Sequence, residues 1–202
     1  MKKTALNVPN TLSLIRVLLV PVFVITLLLM RDIEIWGLVV PAIVFVITSL
    51  TDMLDGKIAR KYNLVTDFGK FIDPLADKFM VIGSQIAIMA YLFLEGGTRT
   101  VEGIVFLAVV LLILLRELGV TSLRLVVAGK SGIVVAASIF GKIKTVSQMV
   151  GTLVIILEPL VFPFSAENHV MAYIAMGIMA FSTVFSGIDY LKAYMPYIDT
   201  NK

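Results

Sequence analysis

Six stretches free of charged side chains punctuate the chain: Val17–Met30, Ile35–Leu50, Phe79–Leu94, Gly103–Leu115, Thr145–Leu157 and Val170–Ile188. They run from 13 to 19 residues. A helix needs about 20 residues to cross a hydrocarbon layer of roughly 30 Å. Each crossing must therefore draw flanking polar or charged residues into the membrane. The pattern predicts six transmembrane helices, near residues 10–30, 35–57, 72–95, 101–127, 142–161 and 168–193. The first is read as a permanent span, because no small-residue cleavage site follows it and Arg31-Asp32 opens a polar turn. No low-complexity tract, linker or repeat divides the chain, so residues 1–202 are read as a single membrane domain.

Composition agrees. Hydrophobic residues make up 59% of the chain and charged residues 15%, against roughly 45–50% and 25% in soluble domains. Mean hydropathy is +1.00. Cysteine is absent, which excludes disulfides, thiolate zinc sites and a thiol nucleophile. His169 is the sole histidine, which excludes multi-histidine metal sites and argues against a serine triad.

The net charge of +3 says less than where the charges fall. Six spans put both termini on one side of the membrane, with the loops after the second and fourth spans. Of the 17 lysines and arginines, all but Arg31 and Arg99 belong to that side. Positively charged loops stay inside, so this side is expected to be cytoplasmic and the protein a multi-pass cell-membrane protein. The charges forced into spans, Arg16, Asp52, Asp55, Asp73, Asp77, Lys78, Arg116 and Lys144, all lie toward the same end. Ionisable groups at membrane depth normally face a bundle interior or a wet cavity. The expected architecture is an all-α, six-helix bundle with a polar cavity open to the cytoplasm and a closed, apolar outer half. That shape suits an enzyme joining a soluble substrate to a lipid. His169, on the outer side, is assigned no role, and no nucleic-acid partner is expected.

Residues 52–77 hold five of the chain's 14 acidic residues: Asp52, Asp55, Asp67, Asp73 and Asp77. On a helix Asp52 and Asp55 share a face, as do Gly69, Asp73 and Asp77 at spacings of four. Two adjacent helices can thus aim four carboxylates at each other. Such a group repels itself strongly unless some members are protonated or divalent cations hold them together. Oxygen donors without cysteine or nearby histidine favour Mg²⁺ or Mn²⁺ over zinc. Arg60 adds a fork-shaped cation suited to phosphate, and Gly56 allows close approach of a ligand to the backbone. Together they describe a site for a substrate containing pyrophosphate.

The run Asp52-x2-Asp55-Gly56-x2-Ala59-Arg60-x8-Gly69-x3-Asp73-x3-Asp77 resembles the signature of the CDP-alcohol phosphatidyltransferases at all eight fixed positions. The resemblance implies that Asp52, Asp55 and Asp73 ligate a pair of divalent ions, Mg²⁺ or Mn²⁺, on the CDP diphosphate. It implies that Asp77 is the catalytic base and a further metal ligand, and that Gly56, Ala59, Arg60 and Gly69 surround the CDP moiety. It also implies cytoplasmic termini and a homodimer among membrane lipids.

Three further segments are similar to the branch of this family whose acceptor is glycerol 3-phosphate: Asn7–Leu12 leading through Ser13 to Arg16 and Pro21, Asp73–Lys78, and Arg116-Glu117 with Arg124 and Gly141–Thr145. The expected reaction transfers the phosphatidyl group of CDP-diacylglycerol to glycerol 3-phosphate and releases CMP. The residues themselves agree, since Arg116, Arg124, Lys142 and Lys144 fall at the cytoplasmic ends of the fourth and fifth spans, where they can gather round one acceptor phosphate. Rival readings are another acceptor within the family (inositol phosphate, serine or phosphatidylglycerol) and a proton- or cation-coupled transporter. A transporter should carry membrane-embedded charges toward both faces.

Overall fold

Polar caps begin three of the six long helices. Asn7 accepts a hydrogen bond from the Asn10 backbone at 3.0 Å, with Pro9 in the first turn of α1 (Val8–Leu29). Thr66 caps α3 (Asp67–Glu95) through the Gly69 amide at 3.0 Å, and Ser138 caps α5 (Ile139–Val161) through the Gly141 amide at 3.1 Å. The others are α2 (Trp36–Lys61), α4 (Thr98–Ser131) and α6 (Val170–Tyr194). A computed structural model of the chain describes residues 7–62, 64, 66–131, 138–165 and 167–197, without the side chains of Met53, Ala59, Arg60, Lys130 and Ser131. No strand occurs among the described residues.

All six helices are long and apolar enough to cross a membrane. The shortest, α1, has 22 residues and measures roughly 33 Å at its usual rise. The helices differ from expectation mainly at the end that carries the carboxylates. There α2 runs on to Lys61, α3 starts at Asp67, α4 continues to Ser131 and α5 starts at Ile139. An apolar stretch ends where lipid ends, but a capped helix does not have to.

Packing places α1 against both α2 and α3, and α5 against α6, while α4 joins α3 to α6. All six helices contribute to one core, with Phe23 and Leu27 meeting Phe45, Ile88, Phe106, Ile155 and Met176. The rings of Phe23 and Phe45 lie 5.5 Å apart. Leu18, Leu29, Leu115 and Phe181 are exposed, the inside-out pattern of a bundle whose outer solvent is lipid. This core fills the half of the bundle away from the carboxylates and leaves the polar end to the shorter contacts described below.

The opposite end is not the apolar half that the pattern suggested. Arg99 and Glu102 of α4, Glu158 of α5 and His169 before α6 are all buried there. Arg99 Nη1 donates to Glu102 Oε2 at 2.7 Å and stands 3.8 Å from Glu158 Oε2. Glu158 Oε1 accepts from Ser165 Oγ at 2.6 Å and from the backbone amides of Met171 and Ala172 at 3.0 and 3.2 Å. The carboxylate thereby satisfies the first turn of α6. His169, held left-handed at φ 52°, makes no cap there; its Nε2 lies 3.2 Å from Thr98 Oγ1. Glu158, Arg99 and Glu102 each border an apolar stretch, so in sequence they look like surface boundaries.

Glu158→Ala leaves three donors without their acceptor and Arg99 short of a partner, and should cost about 3 kcal/mol. Thermal unfolding in detergent should show a Tm loss of several degrees; an unchanged Tm would remove the network's structural role. Burial, and then the Arg99 guanidinium, hold His169 below its ordinary value of 6.5, although Glu158 pulls the other way. The folded state therefore takes up the proton less readily than the unfolded chain, so stability is full above pH 6.5 and declines as pH falls below it. His169→Gln should flatten that decline in an acid titration of Tm.

Candidate active site

Three residues on one face of α1 organise the polar end. Asn10, Ser13 and Arg16 recur every third position and are all buried. Asn10 Nδ2 donates to Thr66 Oγ1 at 2.8 Å, and Asn7 Nδ2 donates to the Leu64 carbonyl at 2.6 Å, so the start of α1 is tied to the loop entering α3. Gly69 lies where α1 and α3 cross: a Cβ on it would come within 2.6 Å of Asn10 Oδ1.

One turn on, Ser13 Oγ donates to Asp73 Oδ1 at 2.6 Å and lies 3.2 Å from Asp55 Oδ2. Arg16 follows with a side chain 0% exposed. Its Nη1 meets Asp52 Oδ1 at 2.9 Å and also Asp77 Oδ1, and its Nη2 meets Asp55 Oδ2. All four signature carboxylates are thus joined through two side chains of α1. Two carboxylates 4 Å apart repel by about 4 kcal/mol at an effective dielectric near 20, so this charge compensation is needed wherever the cluster is folded together.

A cavity of about 340 Å³ opens beside the cluster. Asp52, Asp73, Pro74 and Asp77 supply an acidic lining, and Glu117 and Arg124 of α4 with Lys144 and Thr145 of α5 supply a basic wall, which Lys78 joins from α3 beside Asp77. Asp55, at 7% exposed, points inward to Arg16, whereas Asp77 is 50% exposed. On the basic wall Lys144 Nζ donates to Glu117 Oε1 at 2.5 Å, and Lys78 Nζ donates to Thr121 Oγ1 at 2.5 Å.

Arg116 is turned elsewhere. Its Nη1 donates to Glu117 Oε1 at 2.7 Å, its Nη2 to Ser186 Oγ at 2.5 Å, and its guanidinium stacks 5.0 Å from the Tyr190 ring. It lines a separate apolar groove between α4 and α6. Lys142 is exposed and is not among the residues lining the polar cavity. Gly56 is half-buried on α2 directly after Asp55. The side chains of Ala59 and Arg60 lie outside the described residues.

Of the eight residues proposed around nucleotide and acceptor, Arg124 and Lys144 line the polar cavity, alongside the proposed metal ligands Asp52, Asp73 and Asp77. Reading the sequence passed over Ser13, Arg16, Lys78 and Glu117 as site residues. A signal for two of them was present: the spacing Asn10-x2-Ser13-x2-Arg16 places the sole charge of α1 on its polar face. Glu117 had none beyond its place next to Arg116.

The donor chemistry suits a hard divalent cation, since four carboxylates and a hydroxyl supply oxygen alone. The arrangement is less direct. Among the described residues no group of three or more carboxylate or imidazole side chains is disposed to hold a metal ion, and the Arg16 guanidinium stands between Asp52, Asp55 and Asp77.

Residues 6–187 match the family model described as CDP-alcohol phosphatidyltransferase. A Bacillus subtilis protein named CDP-diacylglycerol--glycerol-3-phosphate 3-phosphatidyltransferase is 39% identical over 198 residues, covering 92% of this chain and 94% of its own. Proteins of the same name from Rickettsia bellii and Yersinia enterocolitica are 35% and 36% identical. Those matches cover 95% and 93% of this chain, and 97% and 94% of the relatives.

The crossing at Gly69 makes a prediction. Gly69→Ala should push Asn10 off Thr66 and separate α1 from α3 at the carboxylates. CMP release from a CDP-linked lipid should fall at least tenfold, with a smaller loss in Tm. Full activity in Gly69→Ala would show that the crossing has slack.

Proposed function

The chain belongs to the CDP-alcohol phosphatidyltransferase family, and on that premise we propose that the two-walled cavity brings CDP-diacylglycerol and glycerol 3-phosphate together at the cytoplasmic face. The chain transfers the phosphatidyl group of the first to the second, giving phosphatidylglycerophosphate and CMP. The observation that carries this reading is that one cavity is lined both by the signature carboxylates and by Lys78, Arg124 and Lys144. The carboxylate wall suits a metal-bound diphosphate and the basic wall suits an anionic acceptor. An acceptor without a phosphate, such as serine, would leave the basic wall unmatched.

Asp52, Asp55, Asp73 and Asp77 would hold the divalent ions, Mg²⁺ or Mn²⁺. When bound, such ions neutralise the diphosphate and stabilise the charge that builds on the departing CMP. Ser13 and Arg16 orient the carboxylates. Asp77, the half-exposed member of the cluster, takes the proton from the primary hydroxyl of glycerol 3-phosphate. The freed oxygen attacks the phosphorus that bears diacylglycerol. A new P–O bond forms, the bond from that phosphorus to the CMP phosphate oxygen breaks, and CMP leaves with the electron pair. Arg124 and Lys144 hold the acceptor phosphate, with Lys78 beside Asp77. Glu117 orients Lys144 and is itself fixed by Arg116.

The cavity end is assigned to the cytoplasm because every lysine and arginine except Arg31 and Arg99 belongs to that side. Arg99 also changes the transporter reading: charge does lie at both ends of the bundle. The outer charges are buried and paired with one another, while the apolar core separates them from the cavity.

Purified protein in detergent, given CDP-diacylglycerol and Mg²⁺, should release CMP with glycerol 3-phosphate and not with inositol phosphate or serine. EDTA should abolish release. Turnover with another acceptor would overturn the assignment of the basic wall. Asp77→Asn should lower kcat at least about a hundredfold while CDP-diacylglycerol still binds. Lys144→Met should raise KM for glycerol 3-phosphate about tenfold or more, and an unchanged KM would remove Lys144 from the acceptor site.

A further inference from the structure

Arg16 reaches the carboxylates from behind. Asp52, Asp73 and Asp77 line the cavity, but Arg16 does not, and its side chain is fully buried. It is the sole charged residue of α1. Its two terminal nitrogens engage one oxygen each of Asp52, Asp55 and Asp77, contributed by both α2 and α3. Those oxygens are among the electron-pair donors on which a divalent cation would draw. A guanidinium offers no electron pair to a metal and repels it by charge.

We propose that Arg16 is the built-in counter-ion of the carboxylate cluster: it holds Asp52, Asp55 and Asp77 together whether or not a metal is bound, and it competes with divalent cations for their oxygens. The inference rests on reading the cluster as a divalent-cation site. One positive charge against four carboxylates leaves the cluster negative, so cations still bind, but less tightly than four unopposed carboxylates would bind them. The fold at this end is thereby uncoupled from metal supply. Arg16 acts through the aspartates, as a positioning residue.

A structural role alone would predict that losing Arg16 weakens metal binding. Counter-ion competition predicts the reverse. Mn²⁺ binding is read by electron paramagnetic resonance on the full chain in detergent, with thermal unfolding in EDTA and in Mg²⁺ alongside. Arg16→Met should bind Mn²⁺ about tenfold more tightly than wild type. It should melt lower in EDTA and gain more Tm from Mg²⁺ than wild type gains. Arg16→Lys keeps the charge but cannot reach three carboxylates at once, and should change in the same direction by less. Unchanged or weaker Mn²⁺ affinity in folded Arg16→Met overturns the inference and leaves the metal reading standing. Should Arg16→Met not fold even in Mg²⁺, unchanged affinity in Arg16→Lys overturns it. Mn²⁺ binding to none of the three proteins, wild type included, removes the metal reading and the inference together.

Discussion

Four carboxylates cannot share one end of a membrane bundle unless their mutual repulsion is offset, and the way this is done shapes that whole end. The compensation comes from α1, a helix that otherwise carries no charge. Arg16 and Ser13 reach across to α2 and α3, so these three helices converge where the signature residues lie. The polar tie of Asn10 to Thr66 and the bare backbone at Gly69 bring α1 close enough for that reach. The site is therefore part of what packs this end of the bundle, alongside the apolar cluster of Val120, Val127, Tyr190 and Tyr194.

The opposite end repeats the arrangement with different helices. Arg99 is buried against Glu102 and near Glu158, where α4, α5 and α6 meet. In both places an arginine enters a group of carboxylates, in keeping with the high cost of an unpaired buried charge. The two differ in access. The carboxylates of that end are spent on the first turn of α6 and on Arg99, whereas Asp52, Asp73 and Asp77 still face a cavity. Burial of charge alone does not mark a site; charge that remains open to a cavity does.

Much of this was legible in sequence because hydrophobic pattern and motif spacing are local. The six helices follow from apolar length, and the carboxylate cluster from spacings of three and four on consecutive helices. What was not legible depends on which way a helix face turns once packed. Arg116 and Lys142 look equivalent to Arg124 and Lys144 along the chain. Yet Ser186 draws Arg116 toward α6, although both arginines lie over the Tyr190 ring, and Lys142 is exposed. Glu158 and His169 were missed for another reason: an ionisable residue at the edge of an apolar run reads as a surface boundary unless its partners on other helices are known. Arg16 was seen as a charge within a span, but its partners lie about 40 to 60 residues away in sequence, beyond any local pattern.

The polar cavity sets cations and carboxylates side by side, which raises the question of what keeps them from pairing with one another. Lys78 and Lys144 line the same cavity as Asp73 and Asp77, and ammonium groups without other partners would be drawn onto the carboxylates. Glu117 and Thr121 prevent this by taking one proton donor from each lysine. Each ammonium has three donors, so further hydrogen bonds remain available on each. Glu117, held in turn by Arg116, occupies Lys144, while Thr121 occupies Lys78. Glu117 looks out of place beside cations when taken alone; in a cavity that also holds aspartates it gives Lys144 a partner of its own.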